Sequence, residues 1–295
     1  MREWWLANWR LLLGSGGFTA IIIPLLVALV SRHKRQERQI QPASPAPDFS
    51  SQVQPENSNL SYNQGKVFSE HLAYKKAVKC FKRAVTEYAP DSLDCADALA
   101  YAGIMYWYLS RYKKAIECYL EAQAIYYGRL QENQEELTRL YNNLAIAYYS
   151  QGNYEKALVW YFKALKISEE ILGKDHLDTA DTYGNIARVY SDQRKYELAL
   201  EYFYKELQIE EKTLGKDHST MANTYECIAI DYGNQRKYNE ALLFYLKAYN
   251  ILRKEELSGV AHTDTKRCLS NLRTDYKRSK RKEPFDDWLA AQLKD

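Results

Sequence analysis

Small and aromatic residues return at fixed intervals through most of this chain. Residues 141–180 read YNNLAIAYYSQGNYEKALVWYFKALKISEEILGKDHLDTA, and residues 183–222 read YGNIARVYSDQRKYELALEYFYKELQIEEKTLGKDHSTMA, one pattern displaced by 42 positions without a gap. A third copy begins 42 further on at Tyr225, and weaker copies begin at Tyr101 and Gly65. Self-similarity at such a period predicts stacked helical hairpins, because one hairpin cannot bury its apolar face alone. Within each copy an Ala precedes an aromatic by four residues: Ala77 with Phe81, Ala115 with Tyr119, Ala157 with Tyr161, Ala199 with Phe203, and Ala241 with Tyr245. Residues so spaced share one helix face; the small one admits a neighbouring helix and the ring fills the space beside it. A first-helix aromatic (Phe68, Tyr106, Tyr148, Tyr190, Tyr232) stands nine residues before each Ala, and a tyrosine (Tyr74, Tyr112, Tyr154, Tyr196, Tyr238) stands three before it.

These positions resemble the tetratricopeptide repeat (TPR) family across residues 59–256. The family's L-A-x-x-Y first-helix motif stands here as Leu144-Ala145 with Tyr148, Ile186-Ala187 with Tyr190, and Ile228-Ala229 with Tyr232. The 42-residue period and the LGKDH linkers at 172–176 and 214–218 are similar to the kinesin-light-chain-like branch, whose second helix is lengthened. The resemblance implies an all-α superhelical solenoid of about five helix-turn-helix repeats, with capping helices at 257–295. Gly173 and Gly215 suit helix C-caps, and Asp178 or Thr179 is expected to cap the next first helix. The chain departs from the pattern at Glu206, where Ala164 and Ala248 hold the equivalent slot. It departs again at Gln64 and Ala102, which replace a large apolar residue, so the first two repeats are expected to be looser or to act as a cap. Residues 262–282 read as one more helix with Leu269, Leu272 and Tyr276 on its apolar side, and FDDWLAAQL follows Glu283-Pro284 as a short last helix.

Ahead of the repeats the pattern changes. A run without a charge opens at Leu11 and closes at Val30, LLLGSGGFTAIIIPLLVALV. Twenty helical residues span about 30 Å, the thickness of a bilayer core, so a single transmembrane helix is expected to precede the array. Trp4, Trp5 and Trp9 stand where an interfacial aromatic belt belongs. Arg32, Lys34, Arg35 and Arg38 follow the run, against Arg2 and Arg10 before it; this bias places residues 1–10 outside and the long C-terminal part in the cytoplasm. Residues 31–58 are a basic flank and a Pro/Ser-rich linker, whose last 20 or so residues extend up to about 60 Å.

Composition narrows the function classes. Among 295 residues there are 26 Tyr against 8 Phe, with 12 Gly and 7 Pro, too few breakers for a many-stranded barrel. Fifteen repeat slots account for twelve of those tyrosines. The net charge of +3 is too balanced for a general nucleic-acid binder. Five cysteines without a C-x-x-C pair fit a reducing compartment and give no zinc spacing. His176, His218 and His262 recur at near-equivalent linker positions and read as structural. No nucleotide loop, nucleophile elbow or metal-ligand spacing is present in the array, so neither a cofactor, a small-molecule substrate nor catalysis is expected.

By the resemblance, partners bind in the concave groove lined by the first helices, between the core-facing positions. The expected lining is Asn63 and Trp107, then Arg139, Asn142, Asn143, Ile146 and Tyr149. It continues with Asp181, Asn185, Arg188 and Ile230. Asn63, Asn143 and Asn185 share one slot, where the family's Asn bonds the backbone of an extended peptide, since an amide donates and accepts at once. The expected function is a membrane-anchored adaptor that recruits a protein or peptide. The alternatives are a peptide-responsive regulator or sensor, and an accessory subunit of a translocation or envelope-assembly machine. The basic helix at 262–282 suggests contact with anionic lipid or, more simply, a solvated end cap.

Overall fold

The structure, a computed structural model, describes residues 59–128, 134–257 and 263–293. The expected outer N-terminus, membrane run and linker, and His262, lie outside the described residues. Among the described residues the regular elements are twelve α-helices, none long and apolar enough to cross a membrane.

The helices pair as the repeats require. They are α1 (Leu60–Glu70) with α2 (Tyr74–Glu87), α3 (Leu93–Tyr108) with α4 (Tyr112–Tyr127), and α5 (Gln134–Ser150) with α6 (Tyr154–Ile171). Then come α7 (Leu177–Asp192) with α8 (Tyr196–Leu214), and α9 (Ser219–Asn234) with α10 (Tyr238–Leu257). Helices α11 (Thr263–Arg278) and α12 (Phe285–Gln292) end the array. Packing runs between consecutive helices, with α3 also touching α5 and α7 touching α9, so this is an all-helical solenoid.

The small–aromatic pairs form its core. All five motif alanines are 0% exposed and their five rings 0–3%. Burying each ring contributes roughly 1.5–3 kcal/mol. Opposite the ring the first helix must also be small. A Cβ on Gly65 or Gly103 would overlap the ring of Phe81 or Tyr119, and Ala145, Ala187 and Ala229 hold the same slot, fully buried. Ala102 is likewise fully buried, whereas Gln64 is exposed.

Each hairpin turn is closed by one device. Leu72, Ser110, Gly152, Arg194 and Arg236 stand in equivalent left-handed positions, at φ 57°, 56°, 77°, 61° and 63°. The next residue's N–H then donates to the carbonyl of the first-helix aromatic, 2.8–2.9 Å, as in Lys195 to Tyr190. This is the Schellman closure, which satisfies a carbonyl the helix end would leave unpaired. Only repeat three uses glycine there.

The long linkers differ from expectation at one point. Gly173 and Gly215 do adopt positive φ, 91° and 86°. The caps, however, are His176 and His218 rather than Asp178 or Thr179. Both have extended backbone, and their Nδ1 atoms accept from the N–H groups of Asp178 (3.1 Å) and Thr220 (3.4 Å). Thr179 instead donates its hydroxyl to the Gly173 carbonyl at 2.9 Å. A further repeat-wide feature is a lysine over rings: Lys163, Lys205 and Lys247 lie 4.1–5.9 Å from the centroids of the Tyr141/Trp160, Tyr183/Tyr202 and Tyr225/Phe244 pairs. At the C-terminus, Cys268 and Leu272 are fully buried, and the Tyr276 ring packs at a tilt against Trp288, 4.7 Å between centroids, closing the core of the last repeats.

Two stability tests follow from these packing details. Arg194→Gly is expected to raise unfolding free energy by about 0.5–1 kcal/mol, because it relieves left-handed strain against a smaller gain in chain entropy; urea denaturation checks it. Tyr119→Phe is expected to stabilise by about 1 kcal/mol, since its buried hydroxyl has no partner among the described residues and Phe81 fills the same slot without one. A lower melting temperature for this variant would show that the hydroxyl is in fact satisfied.

Candidate functional site

The first helices α3, α5, α7 and α9, followed by α11, form a continuous row, tied by one side chain after another. The Trp107 indole N–H donates to Ser150 Oγ at 2.9 Å. The Tyr149 hydroxyl donates to Asp192. Asn142 Nδ2 donates weakly to Thr182 Oγ1 at 3.4 Å. Ser191 donates to Asp231, and Arg267 Nη2 pairs with Glu226 Oε2 at 2.5 Å. Every joint from α3 to α11 is thus bridged between helices that belong to different repeats.

These ties change the status of several expected groove residues. Trp107, Asn143, Ile146 and Tyr149 are 7%, 5%, 2% and 9% exposed, so their side chains are largely spent inside the array. The physical reason is the closeness of successive first helices, which a single repeat read in isolation does not reveal. Asn63 is exposed, while Arg139, Asn142, Asn185, Arg188 and Ile230 are half-buried. Arg139 pairs with Glu136 on its own helix at 2.9 Å, and Arg188 Nη1 donates to Asn185 Oδ1 at 3.2 Å. Asp181 is open to water yet densely surrounded; burial pushes its carboxyl up and Arg188 pulls it back.

In and beside the first-helix row lie several buried carboxylates. Glu206, 4% exposed, reaches from α8 against Gly184 of α7, where a Cβ would overlap its carboxylate. Burial holds its carboxyl well above the ordinary range, and the Arg188 charge opposes that rise. Glu210, one turn on, is raised by burial and lowered by hydrogen bonding from Thr224. Glu226 is raised by burial and lowered by Arg267. Asp231 is 0% exposed, and its carboxyl is pushed up to about 7 by burial, against the Ser191 hydrogen bond. Burial likewise pushes the Cys227 thiol up to about 12, which leaves it unreactive. Several polar atoms along this row have no hydrogen-bond partner among the described residues: Asn142 Oδ1, Arg188 Nε, Glu206 Oε2, Glu210 Oε2, Glu226 Oε1 and Asp231 Oδ2. No group of three or more His, Cys, Asp or Glu among the described residues is placed to hold a metal ion.

Glu206 was visible as an exception to the repeat, but Gly184, Glu210 and Asp231 were not singled out. The signal for Gly184 is the 42-residue alignment itself, which sets it against Asn142 and Glu226.

A tetratricopeptide repeat family model matches residues 136–209 and 184–254. Residues 136–254 therefore carry tetratricopeptide repeats, as their geometry also shows. No curated protein matches the chain. Among solved structures, the apo form of RapI is similar at 20% identity and a TM-score of 0.62, over 76% of this chain and 84% of that one. BtubC (BKLC) from P. vanneervenii is 19% identical with a TM-score of 0.58, over 81% and 89%. A putative kinesin light chain TPR-like repeat protein of Podosopora anserina is 17% identical with a TM-score of 0.60, over 68% and 99%. At these identities the likeness is one of fold.

Asp231 yields a pH prediction. Its folded pKa near 7 lies above the unfolded value of 3.8, so the native state binds the extra proton. Its stabilising contribution is complete below about pH 4 and declines as pH rises to about 7, with no further change above. Asp231→Asn should flatten that part of the stability profile measured by denaturation at stepped pH. An equally steep decline in the variant would assign the dependence to other carboxyls.

Proposed function

We propose that the chain is a non-catalytic scaffold that binds an extended protein or peptide segment along its first helices. The observation that carries this reading is the continuous row of first helices on which Asn63, Asn142, Asn185 and Arg188 keep polar side chains open or half-open to water. An extended backbone offers one donor and one acceptor per residue, which suits a row of mixed polarity better than a single small molecule does. Exposed Asn63 and half-buried Asn185 share the slot from which an amide makes both kinds of bond. The fold likeness to RapI and to kinesin light chain repeats supports a scaffold of this type.

The scaffold is further proposed to be tethered to a membrane by the uncharged run that ends at Val30, with the array on the cytoplasmic side. The basic flank after that run and the absence of paired cysteine spacing support this placement.

The test of binding is a random nonapeptide library panned on the immobilised full chain. Asn185→Ala is expected to weaken selected peptides about tenfold while leaving the melting temperature within about 2 °C; unchanged affinity would remove Asn185 from the site. A reporter joined after Asp295 is expected to give a cytoplasmic signal, and an extracytoplasmic one would reverse the orientation.

A further inference from the structure

We propose that the buried acidic cluster where α7, α8 and α9 meet selects a cationic side chain, Lys or Arg, from the segment lying along the first helices. This rests on the binding face proposed above and specifies what one position of it takes.

The argument starts from two linked exceptions at one contact. Ala84, Ala122, Ala164 and Ala248 occupy one second-helix slot in four repeats, each 0% exposed. In the fourth repeat that slot holds Glu206, 4% exposed, whose Oε2 has no partner among the described residues. The facing first-helix position is Gly184, and any larger residue there would overlap the carboxylate. Asn142 and Glu226 stand at the equivalent point of the neighbouring repeats. One substitution alone would be a tolerated accident; here the opposing helix has given up its side chain to house the carboxylate.

That carboxylate costs stability. A buried polar oxygen left without a partner is unfavourable by about 1–3 kcal/mol, and an alanine would avoid the cost altogether. Groups that lower stability without a structural return concentrate where a protein binds or reacts.

The sign of the ligand follows from the surroundings. Asp181, Glu206 and Glu210 all lie within electrostatic range of Arg188, the one cation that lowers their raised carboxyl pKa values. One guanidinium therefore serves three acidic groups whose protonated forms burial favours, and a second cation would favour their charged forms. Glu210 Oε2, like Glu206 Oε2, is buried without a partner. The cluster meets the surface at two residues: Asp181 is exposed and Arg188 is half-buried. Asp181 makes first contact, and the arriving cation draws Glu206 and Glu210 toward their charged forms, where the low dielectric strengthens the pull. A long aliphatic stem suits a charge that must reach inward, and a guanidinium can meet a carboxylate through two parallel bonds. The cluster is acidic although the whole chain carries +3, so it does not simply share the charge of its surroundings.

The test uses the full chain and the same nonapeptide library. Lys and Arg should be enriched at one fixed register of the selected pool. In the best peptide, replacing that residue with norleucine should weaken binding about tenfold, as loss of a charge-assisted contact does. Glu206→Ala restores the residue of the other four repeats, so it should fold with an equal or higher melting temperature and yet lose the enrichment. Glu206→Gln keeps the shape and should also lose it, and for either variant the norleucine substitution should then cost little. Enrichment of Lys and Arg that persists in both variants, or selection of acidic residues by the native chain, overturns the proposal. Peptides that bind with no charge preference overturn it alone and leave the binding face intact. No binding at all overturns both.

Discussion

In every repeat a small residue on the first helix meets a ring on the second, and this close approach is the constraint on which the rest depends. The ring can be buried only because Gly65, Gly103, Ala145, Ala187 or Ala229 stands opposite it. It also fixes where the next hairpin can lie, and hence which side chains of successive first helices come within bonding distance. The polar ties from Trp107, Tyr149 and Ser191 are consequences of that spacing, not independent stabilisers. Neutral hydrogen bonds of this kind contribute roughly 0.5–1.5 kcal/mol each. The five buried rings outweigh them.

The same constraint explains what could be read from the sequence and what could not. The repeat period, the paired helices, the positive-φ glycines of the linkers and the capping helices all depend on local pattern, and local pattern is written in the chain. The caps at His176 and His218 were missed because Asp and Thr rank ahead of His in capping preference, whereas the linker places the histidine at the extended backbone position. Ile146 and Asn143 illustrate a second kind of limit. Their place on the helix was evident, but their burial is set by the neighbouring repeat, which no single copy describes. The buried carboxylates are legible only when two copies are compared at two positions at once, as with Gly184 and Glu206.

Electrostatically the array is divided between surface and interior. Its outer lysines rest over aromatic faces, as Lys163 does over Trp160 at 4.1 Å, and remain hydrated. Its acidic groups are drawn into the first-helix row, where burial raises several of them. Arg139, Arg267 and Arg278 there each pair with a carboxylate, at 2.9 Å, 2.5 Å and 3.0 Å, whereas Arg188 donates to the neutral Asn185. This leaves the fourth repeat as the place where charge is least compensated, at the centre of the row and not at its ends.

The polar ties also change register along the array. Trp107 reaches Ser150 and Tyr149 reaches Asp192, each 43 positions on, while Ser191 reaches Asp231, only 40 positions on. A linear array of this sort behaves as a one-dimensional chain of nearest-neighbour couplings, in which a shared core joins repeats into a cooperative block. The fifth repeat, sealed by α11 and α12 through Cys268, Leu272 and Trp288, shares its core with those caps. That core continues without a break into the fourth repeat through Phe203 and Leu207, so under load or denaturant these two repeats and the caps open together as one block.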